Sequence, residues 1–150
     1  MNYHIAQINV AKMKGVNIDD PIMIDFKNQL DTINALAEES KGFVWRLKDE
    51  ETNDATSLNP YGDEQMIVNL SVWESIEDLK NFTYKTLHVE VFKRKKEWFT
   101  KMTSPHLVLW FIPEGELPTA EEGIKRLAHL EEHGETPHAF TFKSKFDSTK

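Results

Sequence analysis

The sequence predicts an α+β protein with the ferredoxin-like order β-α-β-β-α-β, an antiparallel sheet and an extra C-terminal helix. Three observations predict this class: four segments alternate in the way of strands, two amphipathic segments lie between them, and a further helix pattern follows the last strand. In this class the helices gather on one face of the sheet. At 150 residues, with no internal repeat or linker, residues 1–150 are expected to form one domain.

The first half of the chain contains three predicted strands and one predicted helix. Residues 3–10 alternate between apolar and polar side chains, and Asp19-Asp20-Pro21 is typical of a helix start. The apolar stripe of that helix ends before Gly42, which begins a second strand over residues 42–47. A polar segment rich in Asn, Asp, Pro and Gly then predicts a long connection to a third strand at residues 66–73.

The second half begins with Ser75, which with Asp78 forms a capping pair for the second helix. A further helical pattern runs towards Ser104-Pro105, and a fourth strand follows within residues 104–115. Thr119 and Glu122 form a capping box for the last helix, which Gly134 ends. Residues 139–142 are expected to form a short fifth strand.

Composition and charge exclude several classes of function. The 18 basic and 25 acidic residues give a net charge of −7, which argues against broad binding of nucleic acid or anionic membranes. The basic run 93–96 fits the solvated side of a helix. Without cysteine there are no disulfides, no thiolate catalysis and no Cys-ligated zinc. With no apolar signal core or membrane-spanning segment, we expect a cytoplasmic protein.

Each predicted strand has one uniformly apolar face and one mixed face. We assign the apolar faces to the helix side, because helices bury apolar surface best without polar groups. These faces are Ala6, Ile8 and Val10; Phe43, Trp45 and Leu47; Met66, Val68, Leu70 and Val72; and Leu107, Leu109 and Phe111. The mixed faces carry Tyr3, Ile5, Gln7 and Asn9; Val44 and Arg46; Ile67, Asn69, Ser71 and Trp73; and His106, Val108, Trp110 and Ile112.

The mixed face is expected to be too apolar to stay in contact with water. Leaving one tryptophan exposed forgoes about 2–3 kcal/mol of burial free energy. We therefore expect a homodimer in which two sheets face each other around a cavity for a small apolar or aromatic ligand. The C-terminal helix and tail are the other candidates to cover Trp110.

Two residues are the candidates for catalysis. His106, at the entrance of the fourth strand, could act as a general base, or could simply bond to a backbone carbonyl. Asn69, together with Ser71, could polarise a carbonyl or phenolate oxygen, or form a water-satisfied polar pair.

Five residues are the candidates for ligand binding. Arg46 could bind a substrate carboxylate, although a structural salt bridge is the favoured interpretation. Trp73 and Trp110 could wall an aromatic ligand or pack in a dimer core. Ser71 could donate to the ligand, and His88 could approach the same end of the cavity or lie on a helix surface.

The segment His129-Leu-Glu-Glu-His133 matches the H-x-x-E-H pattern of a class of metalloproteases. Too little chain follows Gly134 to supply the usual downstream ligand helix, and five loose positions match easily by chance. We therefore expect no metal site.

Two long runs resemble a known family: SVWESIEDLKNFTYKTLHVEVFKRKKEWF and PHLVLWFIPEGELPTAEEGIKRLAHLEEHGETPHAFTF, with GFVWRL adding to the likeness. They are similar to domain of unknown function 3291, grouped with the dimeric α/β-barrel proteins. That superfamily includes cofactor-independent monooxygenases, haem enzymes and plain binding proteins. The resemblance implies the barrel and leaves the reaction open, and the family supplies no catalytic residues.

Three functions remain open at this point. The first is a monooxygenase-like enzyme that acts on a hydrophobic or aromatic compound without a cofactor, an option that comes from superfamily resemblance alone. The second is a binding or carrier dimer without turnover. The third is a haem protein that uses His88 or His106 as the iron ligand.

Overall fold

The protein is described by a computed structural model that covers residues 2–16, 19–47, 66–87, 95–100 and 106–143. The long connection predicted between the second and third strands lies outside these residues, and so does His88. No helix within the described ranges is both long enough and apolar enough to cross a membrane.

The strands and helices follow the predicted order. The strands are β1 (Tyr3–Met13), β2 (Phe43–Arg46), β3 (Met66–Trp73), β4 (Phe99–Thr100) and β5 (Leu107–Pro113). The helices are α1 (Ile24–Glu39), preceded by one 3-10 turn (Pro21–Met23), α2 (Ile76–Leu87), the single turn α3 (Lys95–Trp98) and α4 (Ala120–His133).

Three predicted helix caps are present as hydrogen bonds. Asp20 accepts from the backbone N–H of Ile22 at 3.1 Å at the start of the 3-10 turn. Ser75 and Thr119 each accept from the residue three positions later, both at 3.1 Å, at the starts of α2 and α4. These side chains satisfy backbone donors that have no partner inside a helix, so they fix where each helix begins.

The sheet has the strand order of a ferredoxin-like fold. β1 lies in the middle, with β3 on one side and β5 on the other, and β2 forms the far edge beyond β3. All of these pairs are antiparallel, so β1 and β2 run in the same direction with β3 between them. This is the split β-α-β arrangement that the sequence predicts, and the predicted α+β class is confirmed.

The register between β1 and β5 differs from the predicted face assignment. Ala6 lies opposite Trp110, and Ile5 lies opposite Phe111. Residues directly opposite each other in a sheet project from the same face. Trp110 therefore shares the apolar face of Ala6, not the mixed face of Trp73, and the prediction that grouped the two tryptophans is wrong.

α4 of the same chain packs on the apolar face. Its Leu127 and Leu130 belong to one core with the sheet residues of that face, and Trp110 in this core is 1% exposed. α4 can approach closely because Gly123 has no side chain: a Cβ built there would lie 2.7 Å from Cδ1 of Ile8. Close contact between helix and sheet excludes water from the centre of this face.

α1 and α2 pack on the mixed face, opposite to the predicted side. Ala37 of α1 and Leu79 of α2 share a core with Ile5 and Trp73. At the other end of β1, Phe26 of α1 packs in a second cluster with Met13. The polar residues of this face therefore lie beneath helices, where they need hydrogen-bond partners.

One chain covers both faces of its own sheet, so the mixed face does not require a twin molecule to cover it. The alternative covering of Trp110, by the C-terminal helix, is the one that the structure contains. In a dimer, the sheets of two chains could face each other across the apolar side only if α4, which packs on that side, also fitted in the interface.

Two short elements differ from the sequence prediction. Residues 139–142 do not form a strand; Phe140 makes a single antiparallel bridge with Leu109. The two-residue strand β4 pairs with the end of β1 through Met13 and Lys12, beyond the end of β5, and the sequence analysis did not anticipate it. Both elements are too short to produce a recognisable alternation.

Replacing Gly123 with Ala should destabilise the protein by about 1–3 kcal/mol, because the new methyl group would overlap Ile8. Helix propensity alone would make alanine more stable than glycine here by about 1 kcal/mol. A decrease in the free energy of unfolding would therefore indicate the close contact. Urea unfolding measures the effect. Adding Ile8→Val removes the Cδ1 atom and should recover part of the loss; a neutral or stabilising Gly123→Ala would contradict the packing described.

Candidate functional site

Four polar side chains lie side by side on the sheet face that α1 and α2 cover. In the register between β1 and β3, Gln7 faces Ser71 and Asn9 faces Asn69. We call these four residues the polar row. Gln7 and Ser71 are buried, Asn9 is half-buried and Asn69 is exposed, so the row leads from the core to the surface.

Hydrogen bonds connect the polar row throughout. The Gln7 side-chain amide donates to Oδ1 of Asn69 at 2.7 Å and to Oγ of Ser71 at 2.7 Å. The Asn9 amide donates to Oε1 of Gln7 at 2.9 Å and, more weakly, to Oδ1 of Asn69 at 3.4 Å. A closed network of this kind compensates for the removal of its polar groups from water.

Trp73 extends the network into the aromatic part of the core. Its ring N–H donates to Oγ of Ser71 at 2.9 Å. Phe82 of α2 stacks on the indole with ring centres 5.1 Å apart, and Phe43 of β2 meets it edge-on at 5.5 Å. The indole is therefore fixed by one hydrogen bond and two ring contacts, which gives the polar row a rigid apolar neighbour.

The network leaves particular groups unused at its exposed end. Oδ1 of Asn69 accepts from two side chains, so its amide nitrogen points the other way, with no acceptor among the described residues. Oγ of Ser71 also accepts twice, which leaves its hydroxyl proton as a donor. Oδ1 of Asn9 is an acceptor without a donor in the same part of the chain. Two donors and one acceptor are thus available.

Asn34 is a further amide close to this region. It lies on α1 between Phe26 and Ala37, which pack with residues at opposite ends of β1. The residue is 7% exposed. Buried carboxamides are uncommon without a partner, so Asn34 is a candidate to complete the site from the helix side.

Arg46 lies on the same face, opposite Ser71 in the pairing of β2 with β3. Its Nε donates to Oε2 of Glu38 on α1 at 3.1 Å, and the arginine side chain is 5% exposed. The structural salt bridge that the sequence analysis favoured is therefore present, with a helix residue as its partner. Because Glu38 neutralises this charge, the region around the polar row carries little net positive charge.

Trp110 is separated from these residues by the sheet. The guanidinium of Arg126 on α4 lies 5.2 Å from its ring centre, a cation–π contact. Its buried ring nitrogen has no hydrogen-bond partner in the described chain. A cavity between Trp73 and Trp110, as the sequence analysis expected, is impossible because the two side chains project from opposite faces.

His106 lies one residue before β5 and is exposed. Its backbone oxygen accepts from the N–H of Val10 at 2.9 Å, and its side chain makes no hydrogen bond to the polar row. His88, the other histidine expected near the site, lies outside the described residues. Catalysis by His106 and ligand contact by His88 both stay predictions.

The histidines of the H-x-x-E-H segment lie on α4, away from the polar row. The rings of His129 and His133 are 4.4 Å apart, and that of His138 is 4.6 Å from His129. In the described ranges, no group of three or more His, Cys, Asp or Glu side chains is arranged to hold a metal ion.

A shallow groove of about 390 Å³ lies between the end of α1 and the start of α2. Its lining is mostly charged and polar, and it touches the site region only through Phe82. The remaining lining residues are Glu39, Ser40, Lys41, Ser75, Glu77, Asp78, Asn81 and Lys85. An open polar groove offers little apolar contact to hold a small molecule, so we do not assign the site to it.

Only part of this site was predicted from the sequence. The predicted residues Asn69, Ser71, Trp73 and Arg46 lie on one face of the sheet. Gln7 was predicted to lie on that face but was given no role, although it connects the two halves of the network. An amide at an inward position of a central strand is a usable signal, because such a group needs a partner across the strand.

Replacing Ser71 with Ala should lower the free energy of unfolding by about 1–3 kcal/mol, because the buried N–H of Trp73 would lose its acceptor. The same change in a Trp73→Phe background should cost less, because that N–H is already absent. A double-mutant cycle by urea unfolding measures the coupling. Equal costs in the two backgrounds would show that the bond contributes nothing.

The chain matches one protein family and resembles a solved structure. No curated protein is detectably similar to the chain. The crystal structure of SnoaB, a cofactor-independent oxygenase from Streptomyces nogalater, matches 79% of this chain and 100% of its own, with 15% sequence identity and a TM-score of 0.46. The family model described as domain of unknown function DUF3291 matches residues 4–150. The chain therefore belongs to the DUF3291 family.

Proposed function

We propose that this protein binds a small, mostly apolar molecule whose oxygen substituent docks at the exposed end of the polar row. The observation that carries the proposal is the donor and acceptor balance of the row. At the exposed end, its internal bonds leave the Asn69 amide nitrogen as a donor and Oδ1 of Asn9 as an acceptor. The Ser71 hydroxyl proton is a further donor towards the buried end. A carbonyl or phenol oxygen is the group that such donors recognise.

The surroundings of the row support an uncharged ligand. Asn9, Asn69, Ser71 and Gln7 carry no charge, and the nearby guanidinium of Arg46 is matched by Glu38. An anion would add a charge that no free cation in the described site balances, and removing that charge from water is costly. The aromatic side chains around Trp73 supply apolar contact instead.

The enzyme hypothesis adds chemistry to the same site. Asn69 and Ser71 would stabilise negative charge on a phenolate or enolate oxygen. His106 precedes Leu107 and so falls on the face of Val108 and Trp110; it would move the proton from the end of the sheet. Reaction with oxygen without a cofactor remains the monooxygenase-like option that the superfamily resemblance suggested. Oxygen consumption in the presence of 1-naphthol would show turnover and so distinguish an enzyme from a carrier. The acid–base role fails if His106→Ala and Asn69→Ala leave the rate of oxygen consumption unchanged.

Haem binding is the minor alternative. His106 is exposed, whereas a non-covalent haem needs its axial histidine beneath an apolar covering. His88, the other candidate iron ligand, lies outside the described residues, and no step in the proposal uses haem. A Soret band in the purified protein or after haem addition would support this alternative.

Homodimerisation also remains a proposal. The site proposed here uses residues of one chain and needs no partner copy to complete it. Analytical ultracentrifugation would measure the mass in solution, and twice the mass of one chain would establish the dimer.

The binding proposal is tested with two probes of similar size, 1,4-naphthoquinone and 1-naphthol. Side-chain amide signals in ¹⁵N-edited NMR spectra report binding even at millimolar affinity. We expect the Asn69 and Asn9 side-chain signals to shift with at least one probe, because these amides lie at the open end of the row. Asn69→Ala should reduce the affinity about tenfold, the loss of one good hydrogen bond.

Asn28→Ala is the matched control, because Asn28 is an exposed amide on α1. This variant should bind both probes like the wild type. Shifts confined to residues outside the polar row, or an unchanged affinity in Asn69→Ala, would refute the proposed site.

A further inference from the structure

The chain beyond α4 connects the two cores of the protein. We call residues 135–142 the C-terminal segment. Ala139 belongs to the core beneath α4, and Phe140 belongs to the core beneath α1 and α2, where neither is exposed to solvent. Phe140 and Leu109 also exchange two backbone hydrogen bonds of 3.1 and 2.6 Å. The segment therefore crosses the edge of the sheet at β5 and seals part of it.

One arginine joins this segment to α4. Nη1 of Arg126 donates to the backbone oxygen of His138 at 2.7 Å and lies 3.2 Å from its ring Nδ1. Glu122 holds the same guanidinium at 2.9 and 3.2 Å. A guanidinium can only donate, so the ring contact is a hydrogen bond only while Nδ1 of His138 is unprotonated.

The charges around His138 oppose its protonation. Desolvation lowers the pKa of His138, Arg126 and His129 lower it further, and Glu122 acts in the opposite direction. His129 itself has a buried Nδ1 without a partner among the described residues, and its ring lies between those of His133 and His138. On acidification, His138 gains a positive charge next to a guanidinium whose carboxylate partner is already engaged.

We propose that the C-terminal segment is a pH-sensitive cover: protonation of His138 breaks its ring contact with Arg126 and releases Phe140 from the core. Leu109 and Phe111 then lose the ring that packs on them. Phe140 and Trp73 belong to the same core cluster, so release opens that cluster at its β5 side.

The direction of the pH effect follows from linkage. The closed segment binds a proton at His138 less readily than the released segment, in which this histidine has an ordinary pKa of about 6.5. The stability of the closed segment is therefore independent of pH above the pKa of His138 in the released segment. This stability decreases as the pH falls from that pKa towards the lowered pKa of the closed segment. Below the lowered pKa it changes little further.

Hydrogen exchange of the Phe140 and Leu109 backbone amides tests the proposal, because their N–H groups form the two bonds of the bridge. Exchange rates at pH 7.5 and 5.5 are corrected for the intrinsic pH dependence of exchange. We expect the protection of both amides to fall several-fold at the lower pH, while amides in the centre of β3 keep theirs. The midpoint of the loss should coincide with the NMR titration of the His138 ring.

Two variants separate His138 from its neighbours. His138→Asn keeps a side-chain acceptor that does not titrate. In this variant the exchange protection of the Phe140 and Leu109 amides should be independent of pH. His133→Gln, which changes the outermost and half-exposed histidine of the cluster, should keep the wild-type dependence. Equal corrected protection at both pH values in the wild type, or a wild-type pH dependence in His138→Asn, would overturn the proposal.

Discussion

The register between β1 and β5 is the constraint on which the rest of the structure depends. Placing Ala6 opposite Trp110 assigns every side chain of β5 to a face of the sheet. A shift by one residue would exchange the two faces completely. In the observed register, the bulkiest β5 residue lies beneath α4, and Leu109 lies beside Gln7 on the face that α1 and α2 cover.

This register also explains why the two faces hold such different interiors. The face under α4 is apolar at its centre, and its packing is close enough that a Cβ at position 123 would overlap Ile8. The opposite face contains the polar row, which α1 and α2 cover only in part, because Asn69 remains exposed. Among the described strand residues, the connected network of oriented polar groups therefore lies on this second face.

The polar row combines stability with binding. Inside the core, Gln7 and Ser71 satisfy each other and the ring N–H of Trp73, so their burial is compensated. The same bonds fix the orientation of Asn69 and Asn9 at the surface end. A ligand would meet amides that are already oriented, which lowers the entropic cost of binding.

Much of the fold could be predicted from the sequence because the signals are local. The capping residues Ser75 and Thr119 marked two helix starts, and alternation located β3 without error at residues 66–73. The fold class followed from the order of these elements. Most of the polar row was also recognised as one mixed face, because its members lie on strands with a clear alternation.

The sequence could not show which side chains of β5 share a sheet face with those of β1. Leu107, Leu109 and Phe111 are as apolar as Val108, Trp110 and Ile112, so the pattern of β5 fits either face equally well. The helix side was misassigned because a purely apolar face was taken as the one for α1 and α2. The network around Gln7 shows that polar residues can lie beneath helices when they satisfy one another.

Nuclear Overhauser effects from the two tryptophan rings measure the central claim directly. The account predicts contacts from the Trp110 ring to the Arg126 side chain and the Ala6 methyl group, and from the Trp73 ring to Phe82 and Phe43. A direct contact between the two indoles, or between Trp110 and Phe82, would place both tryptophans on one face and contradict it.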